Sequence, residues 1–300
     1  MSNSLSPTFI LGVGAQKAGT SWLHRQLTKS PFVNMGFTKE YHVWDAIFCE
    51  LAAEFRATLK VGEGADHALR RMMQSVEGAY ENYFSQLVDR TIRLTGDITP
   101  SYSMLRARDF REIKERLEAA GFCVKVVFLM RDPVERNWSA LRMYQRVQAE
   151  QGIQISERQL NGMFEDFFRS PGAVARTRYD QTIGALKSSF SSEELYIGFY
   201  ESLFSEASIR NLSNFLSLDL THADKEEKVN ASQAMTLSEK LYEPCREFHA
   251  DVYSFCAREY PEAERLWMRR NSGVSANTEI RSIPSGTISA GSITASISNG

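Results

Sequence analysis

The apolar positions of this chain fall into short runs set between longer stretches of helical spacing. "TFILGVG" (8–14) is one such run, closed by glycines, and reads as a buried strand. Behind it Trp22, Leu23, Gln26 and Leu27 recur at helical spacing, and "KSP" stops that helix before Pro31. "NMGFTKEYHVWD" (34–45) reads as extended, and 46 to about 90 as mostly helical, with "EGAYENYFSQLVD" its clearest piece. "RLTGDITPSYS" (93–103) reads as a strand running into a loop. "FCVKVVFLM" (122–130) has the β-branched, apolar character of a central parallel strand. It feeds "RDPVERNWSALRMYQRV", where Pro133 takes the first helical position. A helix near 176–189, a strand at "ELYIGFY" (194–200), a helix at "LFSEASIRNLSNFLSL" and two helices over 235–269, broken around Pro261, complete the pattern.

Strands alternating with helices predict an α/β fold with a mainly parallel central sheet covered on both faces. Ligands of such sheets sit at the carboxyl ends of the strands. A length of 300 residues suits one large α/β domain or two small ones. The pattern is read as a single domain over 1–270 with a tail over 271–300. That tail is rich in Ser, Gly and Thr and has no aromatic residue, so it lacks the surface to offset its ordering entropy and reads as flexible.

Composition narrows the function classes. Apolar residues make up 43% and charged ones 24%, as in a soluble globular protein. Lys and Arg number 35 against 37 Asp and Glu, which speaks against a duplex nucleic-acid partner and leaves any anion to a local site. Cys49, Cys123, Cys245 and Cys256 form no CxxC pair and no metal-ligand spacing with histidine. No basic region precedes "FILGVG", and no run approaches the roughly 20 apolar residues of a membrane span. The expected location is cytoplasmic.

"GVGAQKAGTSWL" (12–23) carries the first chemistry. A glycine-rich turn from strand to helix points several backbone N–H groups at one spot, and the helix dipole makes that spot attractive to phosphate. Gly14, Gly19 and Ser21 fit the G-x-x-x-x-G-K-[ST] frame of nucleoside-triphosphate enzymes, but Thr20 stands in the lysine slot. The lysine, Lys17, sits three residues earlier, inside the loop.

On these residues the chain resembles the sulfotransferases that use 3′-phosphoadenosine 5′-phosphosulfate (PAPS), whose 5′-phosphosulfate loop is similar to "AQKAGTSWL" (15–23). The resemblance implies that Gln16, Lys17, Ala18, Gly19, Thr20 and Ser21 bind the 5′-phosphate and sulfate. A second family motif, an Arg at a strand end and a Ser two helical turns on, is matched by Arg131 and Ser139 and implies the 3′-phosphate site. A guanidinium fork suits phosphate oxygens, and Ser139 would lie about 9 Å along the helix axis, within an arginine's reach. Arg136, three residues before Ser139, is expected on the same face.

Within that superfamily "KEYHVWD" (39–45) and "GDITPSYS" (96–103) resemble stretches of the heparan-sulfate-type and related bacterial enzymes. In an extended segment 40 and 42 share a face. The resemblance makes Glu40 the general base. His42, whose ordinary pKa lies nearer neutrality, is the competing base or a structural support, and Asp97 positions neighbours through hydrogen bonds. Ile98 stands where heparan-type enzymes carry lysine, which argues against a second catalytic lysine and a polysaccharide acceptor. Lys228, in "DKEEKVNAS" (224–232), is the candidate for a further 3′-phosphate contact. The implied reaction is in-line displacement at sulfur, without a metal or a covalent enzyme intermediate.

Two rival readings remain. A P-loop kinase would need a lysine after Gly19 and an acidic Mg²⁺ ligand at a strand end; a non-catalytic relative would bind nucleotide without turnover. The acceptor can be a small molecule, a lipid or a carbohydrate. Arg142, Arg146, Arg176 and Arg178 either welcome an anionic acceptor or are lone surface arginines.

Overall fold

The four apolar runs become the four strands of one sheet: β1 (Thr8–Gly14), β2 (Leu94–Ile98), β3 (Cys123–Met130) and β4 (Leu195–Phe199). The computed structural model describes residues 6–59, 62, 64–220 and 237–267. Every strand pair is parallel and the order is β2-β1-β3-β4, with helices flanking the sheet. Phe9, Ile10, Leu11 and Val13 of β1 are inaccessible, as are Val126 and Phe128 to Met130 of β3, which is what a strand between helical layers requires. β1 and β2 approach closely at Gly96, where a Cβ would come within 2.1 Å of the Ile10 carbonyl oxygen.

From β1 the chain runs out to β2, then returns across β1 to β3 and on to β4. The direction of winding therefore changes between β1 and β3, and the crevice above their carboxyl ends is where this architecture holds ligands. Both sequence motifs, 15–23 and 131–139, open from those two ends.

The helix Pro133–Glu150 is set by a second, smaller apolar cluster. Its Val134, Trp138 and Leu141 pack with Leu160, Phe164 and Phe168 of the helix Glu157–Arg169 and with Tyr242 and Cys245 of the helix Glu239–Phe248. Its opposite side, with Ser139, Arg142, Met143 and Arg146 half-buried, is left for the crevice.

Three sequence expectations change. Residues 34–45 are not extended: Gly36 and His42 take left-handed backbone angles (φ 76° and 52°), and a short helix, Trp44–Phe48, begins inside the segment. The cause is Trp44, which is 1% exposed in the main core, while the Tyr102 hydroxyl accepts from the N–H groups of Val43 (3.2 Å) and Trp44 (3.4 Å) and bends the chain inward. The helices Ala107–Ala119 and Glu157–Arg169 were not expected. The stretch 235–269 holds three helices among the described residues, Glu239–Phe248, Ala250–Glu259 and Glu262–Leu266, with an added break at His249. Lys228 and the tail 271–300 lie outside the described residues. Among the described residues no helix is long and apolar enough to cross a membrane.

Candidate active site

β1 ends in a turn whose backbone is left-handed at Lys17 (φ 69°) and at Gly19 (φ 91°). Gly19 is needed there twice over, for its angle and because a Cβ would meet Leu203 Cδ2 at 2.5 Å and Tyr200 Cδ2 at 3.3 Å. Ala18 is buried, Gln16 and Ser21 are half-buried, and Ala15 N–H donates to the Leu129 carbonyl of β3 (2.6 Å). The helix Thr20–Thr28 that follows has no side-chain cap and no acidic residue in its first turn. Its N-terminal N–H groups and dipole therefore face the turn unopposed by any acid of its own, an arrangement receptive to an anion.

Cations gather around this turn. Lys17 Nζ lies 3.6 Å from Met143 Sδ on the helix Pro133–Glu150. Burial lowers its pKa to about 8, and the positive charges of Arg146, Arg131 and Lys39 push the same way, with Glu40 opposing. Arg131 Nη1 donates to the Lys17 carbonyl (3.1 Å), its guanidinium stacks over the Tyr200 ring (4.5 Å) and pairs with Glu135 (3.6 Å). The Tyr179 hydroxyl donates to the Arg131 carbonyl (2.9 Å) and fixes this strand end from behind. Ser139 is half-buried, four residues before Met143 and so on its face of the helix. Arg136 does not share that face. It is wholly buried on the other side, bonded to Asn137 Oδ1 (2.6 Å), Thr177 Oγ1 (2.7 Å) and the Ala173 carbonyl (3.1 Å), because the i, i+3 stripe it follows is the one the second core covers.

The acid that a Mg²⁺-nucleotide enzyme would want at the end of β3 is Asp132, and its carboxylate is occupied. It caps the helix through Val134 N–H (2.9 Å) and Glu135 N–H (3.0 Å) and accepts from the hydroxyls of Tyr253 (3.0 Å) and Tyr242 (3.3 Å).

On the other flank of the turn stands an acid–base cluster. Lys39 Nζ bridges Glu40 Oε1 (2.5 Å) and Thr20 Oγ1 (3.3 Å). Glu40 Oε2 is 3.4 Å from His42 Nε2, and His42 Nδ1 is 2.7 Å from Asp45 Oδ2, which also accepts from the Ser101 hydroxyl. His42 stacks flat on Phe55, with ring centroids 3.6 Å apart. Burial works against its charge, but the bonds to Asp45 and Glu40 outweigh it and raise the pKa to about 9. Burial likewise works against the Glu40 carboxylate, yet Lys39 and then His42 hold it down to about 2. At neutral pH His42 is thus an imidazolium, which leaves Glu40 as the group able to accept a proton. The Glu40 side chain keeps 34% of its surface open.

The geometry brings Glu40 and His42 together although the segment is not extended; the left-handed turn at His42 achieves it. Asp97 sits beneath, wholly buried, accepting from Thr99 Oγ1 (2.6 Å), Tyr102 OH (2.7 Å), Tyr80 OH (3.1 Å) and Tyr41 N–H (3.4 Å). Burial outweighs these donors and raises its pKa to about 6. Asp97 therefore ties 41–45 to the end of β2.

Sequence reasoning missed the reach of Lys39 to Thr20, the Asp45–Ser101 support of His42, and Tyr200. Only Tyr200 carried a usable signal, since it follows β4 directly at its carboxyl end. None of the four arginines considered for an acceptor is a lone surface residue. Arg142, Arg146, Arg176 and Arg178 are all half-buried, and Arg178 pairs with Asp180 (2.5 Å) beside a cavity of about 450 Å³ that Cys49, Leu51, Ser103 and Met104 also line.

Comparison with known proteins finds likeness at the level of fold. No family model and no curated protein matches the chain. Among solved structures it is similar to a sulfotransferase from Alicyclobacillus acidocaldarius, at 21% identity and a TM-score of 0.58, over 89% of this chain and 97% of that one. A sulfotransferase domain from the curacin biosynthetic pathway is also similar, at 20% identity and a TM-score of 0.44, over 88% of this chain and 97% of that one. The heparan-sulfate-type likeness read from 39–45 and 96–103 is not confirmed by these similarities, which support the α/β sulfotransferase fold.

Proposed function

We propose that this chain is a PAPS-dependent sulfotransferase, its catalytic domain spanning 1–270, acting in the cytoplasm on a hydroxyl or amine of a small-molecule, lipid or carbohydrate acceptor. The observation that carries the reading is the pairing of two opposed features across one turn. On one side, Lys17 is held beside the turn by burial together with the positive charges of Arg146, Arg131 and Lys39, which lower its pKa to about 8, an arrangement that a bound anion would relieve. On the other stands Glu40, an accessible carboxylate beside an imidazolium. The sulfotransferase fold supports the same reading.

The residues present fit the donor. Lys17, Thr20, Ser21 and the N–H groups of 16–21 would hold its 5′-phosphosulfate, and Arg131 and Ser139 its 3′-phosphate; Lys228 lies outside the described residues. PAPS supplies an activated sulfuryl group and a stable leaving phosphate. Glu40 takes the proton of the acceptor as its oxygen or nitrogen attacks sulfur. Lys17 and the turn stabilise the negative charge that grows on the departing phosphate oxygen, as oxyanion donors do. His42, charged and clamped by Asp45, orients Glu40 rather than serving as the base.

Thermal melting with adenosine 3′,5′-bisphosphate, beside ATP and AMP, tests the donor site. A ligand that binds only the folded state raises the midpoint as its concentration passes Kd. The expected result is a shift with the bisphosphate alone that Arg131→Ala removes. No shift with the bisphosphate, or a larger one with Mg-ATP, would overturn the reading.

A further inference from the structure

Glu40 as it stands is poorly set for the step assigned to it. A carboxylate tied to an ammonium 2.5 Å away has little tendency to take a proton from a hydroxyl. The ammonium belongs to Lys39, and the placement of that lysine is specific. Its carbonyl accepts from Ile98 N–H (3.2 Å), which seats Lys39 beside the end of β2, the strand end at which the resemblance called for a lysine and the sequence has Ile98. Its side chain is 16% exposed and bridges two groups of opposite assignment, the base Glu40 and the donor-loop hydroxyl of Thr20. Lys17 leans the other way, toward Met143. The turn is therefore flanked by one lysine on the leaving-group side and one on the acceptor side.

We propose that Lys39 is a ligand of the sulfuryl group under transfer, and that it reaches that group by leaving Glu40, so that donor binding frees the carboxylate to act as the base. This inference rests on the sulfotransferase reading. Lysine suits the task because its three donors sit on a flexible stem and re-aim without moving the backbone. The step balances. The acceptor oxygen or nitrogen forms its bond to sulfur, the bond from sulfur to the phosphate oxygen breaks, and the acceptor proton passes to Glu40. The electron pair leaves on adenosine 3′,5′-bisphosphate. Lys39 neutralises the oxygens that remain on sulfur throughout.

Other charges face Glu40 and stay in place when Lys39 departs. His42 is on its own segment and Lys17 on the turn, while His24 of the helix Thr20–Thr28 also faces it but is uncharged at neutral pH, burial lowering its pKa to about 4. Arg176 acts from beyond the helix Pro171–Ala175, and Arg70 of the helix Ala65–Ser75 donates to the Glu40 carbonyl (3.2 Å). Of the charges that favour the carboxylate, Lys39 contributes most, so its departure is the change that matters for basicity. The acceptor is thereby activated only when the donor is present.

Calorimetric titration without acceptor separates this from a plain ion pair. PAPS and adenosine 3′,5′-bisphosphate differ by the sulfuryl group alone. Lys39→Met is expected to weaken PAPS about ten-fold or more while leaving the bisphosphate within about three-fold of the parent. Glu40→Gln, which releases Lys39 beforehand, is expected to tighten PAPS about three-fold or more and to leave the bisphosphate unchanged. Equal losses for both ligands in Lys39→Met, or no loss in either, would overturn the role of Lys39. Failure of Glu40→Gln to tighten PAPS would overturn the competition, and that variant decides the matter if Lys39→Met does not fold. A parent protein that binds neither nucleotide removes the sulfotransferase reading itself, and this inference with it.

Discussion

Lys17 is a residue whose charge state is set by the site around it. Its pKa near 8 is lowered by burial and by three neighbouring cations, so an anion on the turn must raise it again. Bisphosphate affinity is expected to weaken as pH rises through about 8, with proton uptake on binding above that pH. Titration in buffers of different ionisation heat reads both. Lys17→Ala should flatten the dependence and lower kcat by about 10²–10³-fold with the fold retained; unchanged turnover would remove the lysine from the mechanism. His42 gives a second handle. Its pKa is raised in the folded protein from 6.5 to about 9, so its contribution to stability is full below 6.5 and is lost as pH rises through 9. The stability difference between the parent and His42→Asn should shrink over that window in thermal melts. That Lys17 and Arg131 would converge on one turn was legible in the sequence because motif spacing along one turn or helix is a local property. The bridge from Lys39 to Thr20 was not, since it depends on how 34–45 lies against the end of β2. Arg136 was misjudged because a three-residue step places two side chains near one another without saying where the edge of the buried stripe falls.

At the scale of elements, the donor turn and the helix Pro133–Glu150 depend on a few local devices. Asp132 caps that helix and also receives two tyrosine hydroxyls, so Asp132→Ala should cost about 1–2 kcal/mol, read as a lower denaturant midpoint at constant slope. Gly19→Ala forces a Cβ into Leu203 and a left-handed angle at once, and should abolish the bisphosphate-induced thermal shift; an intact shift would mean the turn can refold around a side chain. β1 and β3 were legible because a strand buried on both faces is apolar along most of its length, whereas β2 carries Thr95 and Asp97 and β4 is only half-buried over Leu195–Gly198. The segment 34–45 was misread as extended because its bend is made by partners remote in sequence, Trp44 in the core and the Tyr102 hydroxyl. The helix Ala107–Ala119 went unexpected although Phe110, Ile113 and Leu117 repeat at helical spacing and are inaccessible.

Across the whole molecule the α/β class could be read from alternation alone, whereas the order β2-β1-β3-β4 could not, since no single strand states its neighbours. That order is what makes the site. It sets the ends of β1 and β3 side by side, brings Tyr200 from β4 under Arg131, and hangs Lys39 and Glu40 from the end of β2 on the far flank. Four elements distant in sequence thus meet around one backbone turn, and the turn is bonded or packed to each of them.

Lys39, Arg131 and Arg146 lie around that turn closely enough to act on Lys17. Attraction of this kind is weakened by dissolved ions, strongly where the charges are exposed and less where they are buried. Donor capture and loss of the bisphosphate product should both respond to ionic strength, in opposite senses: capture slows and release quickens as salt is added. The dependence of turnover on sodium chloride then identifies the slow step without any variant. Turnover that climbs with salt marks release of product as limiting, and turnover that falls marks capture of the donor.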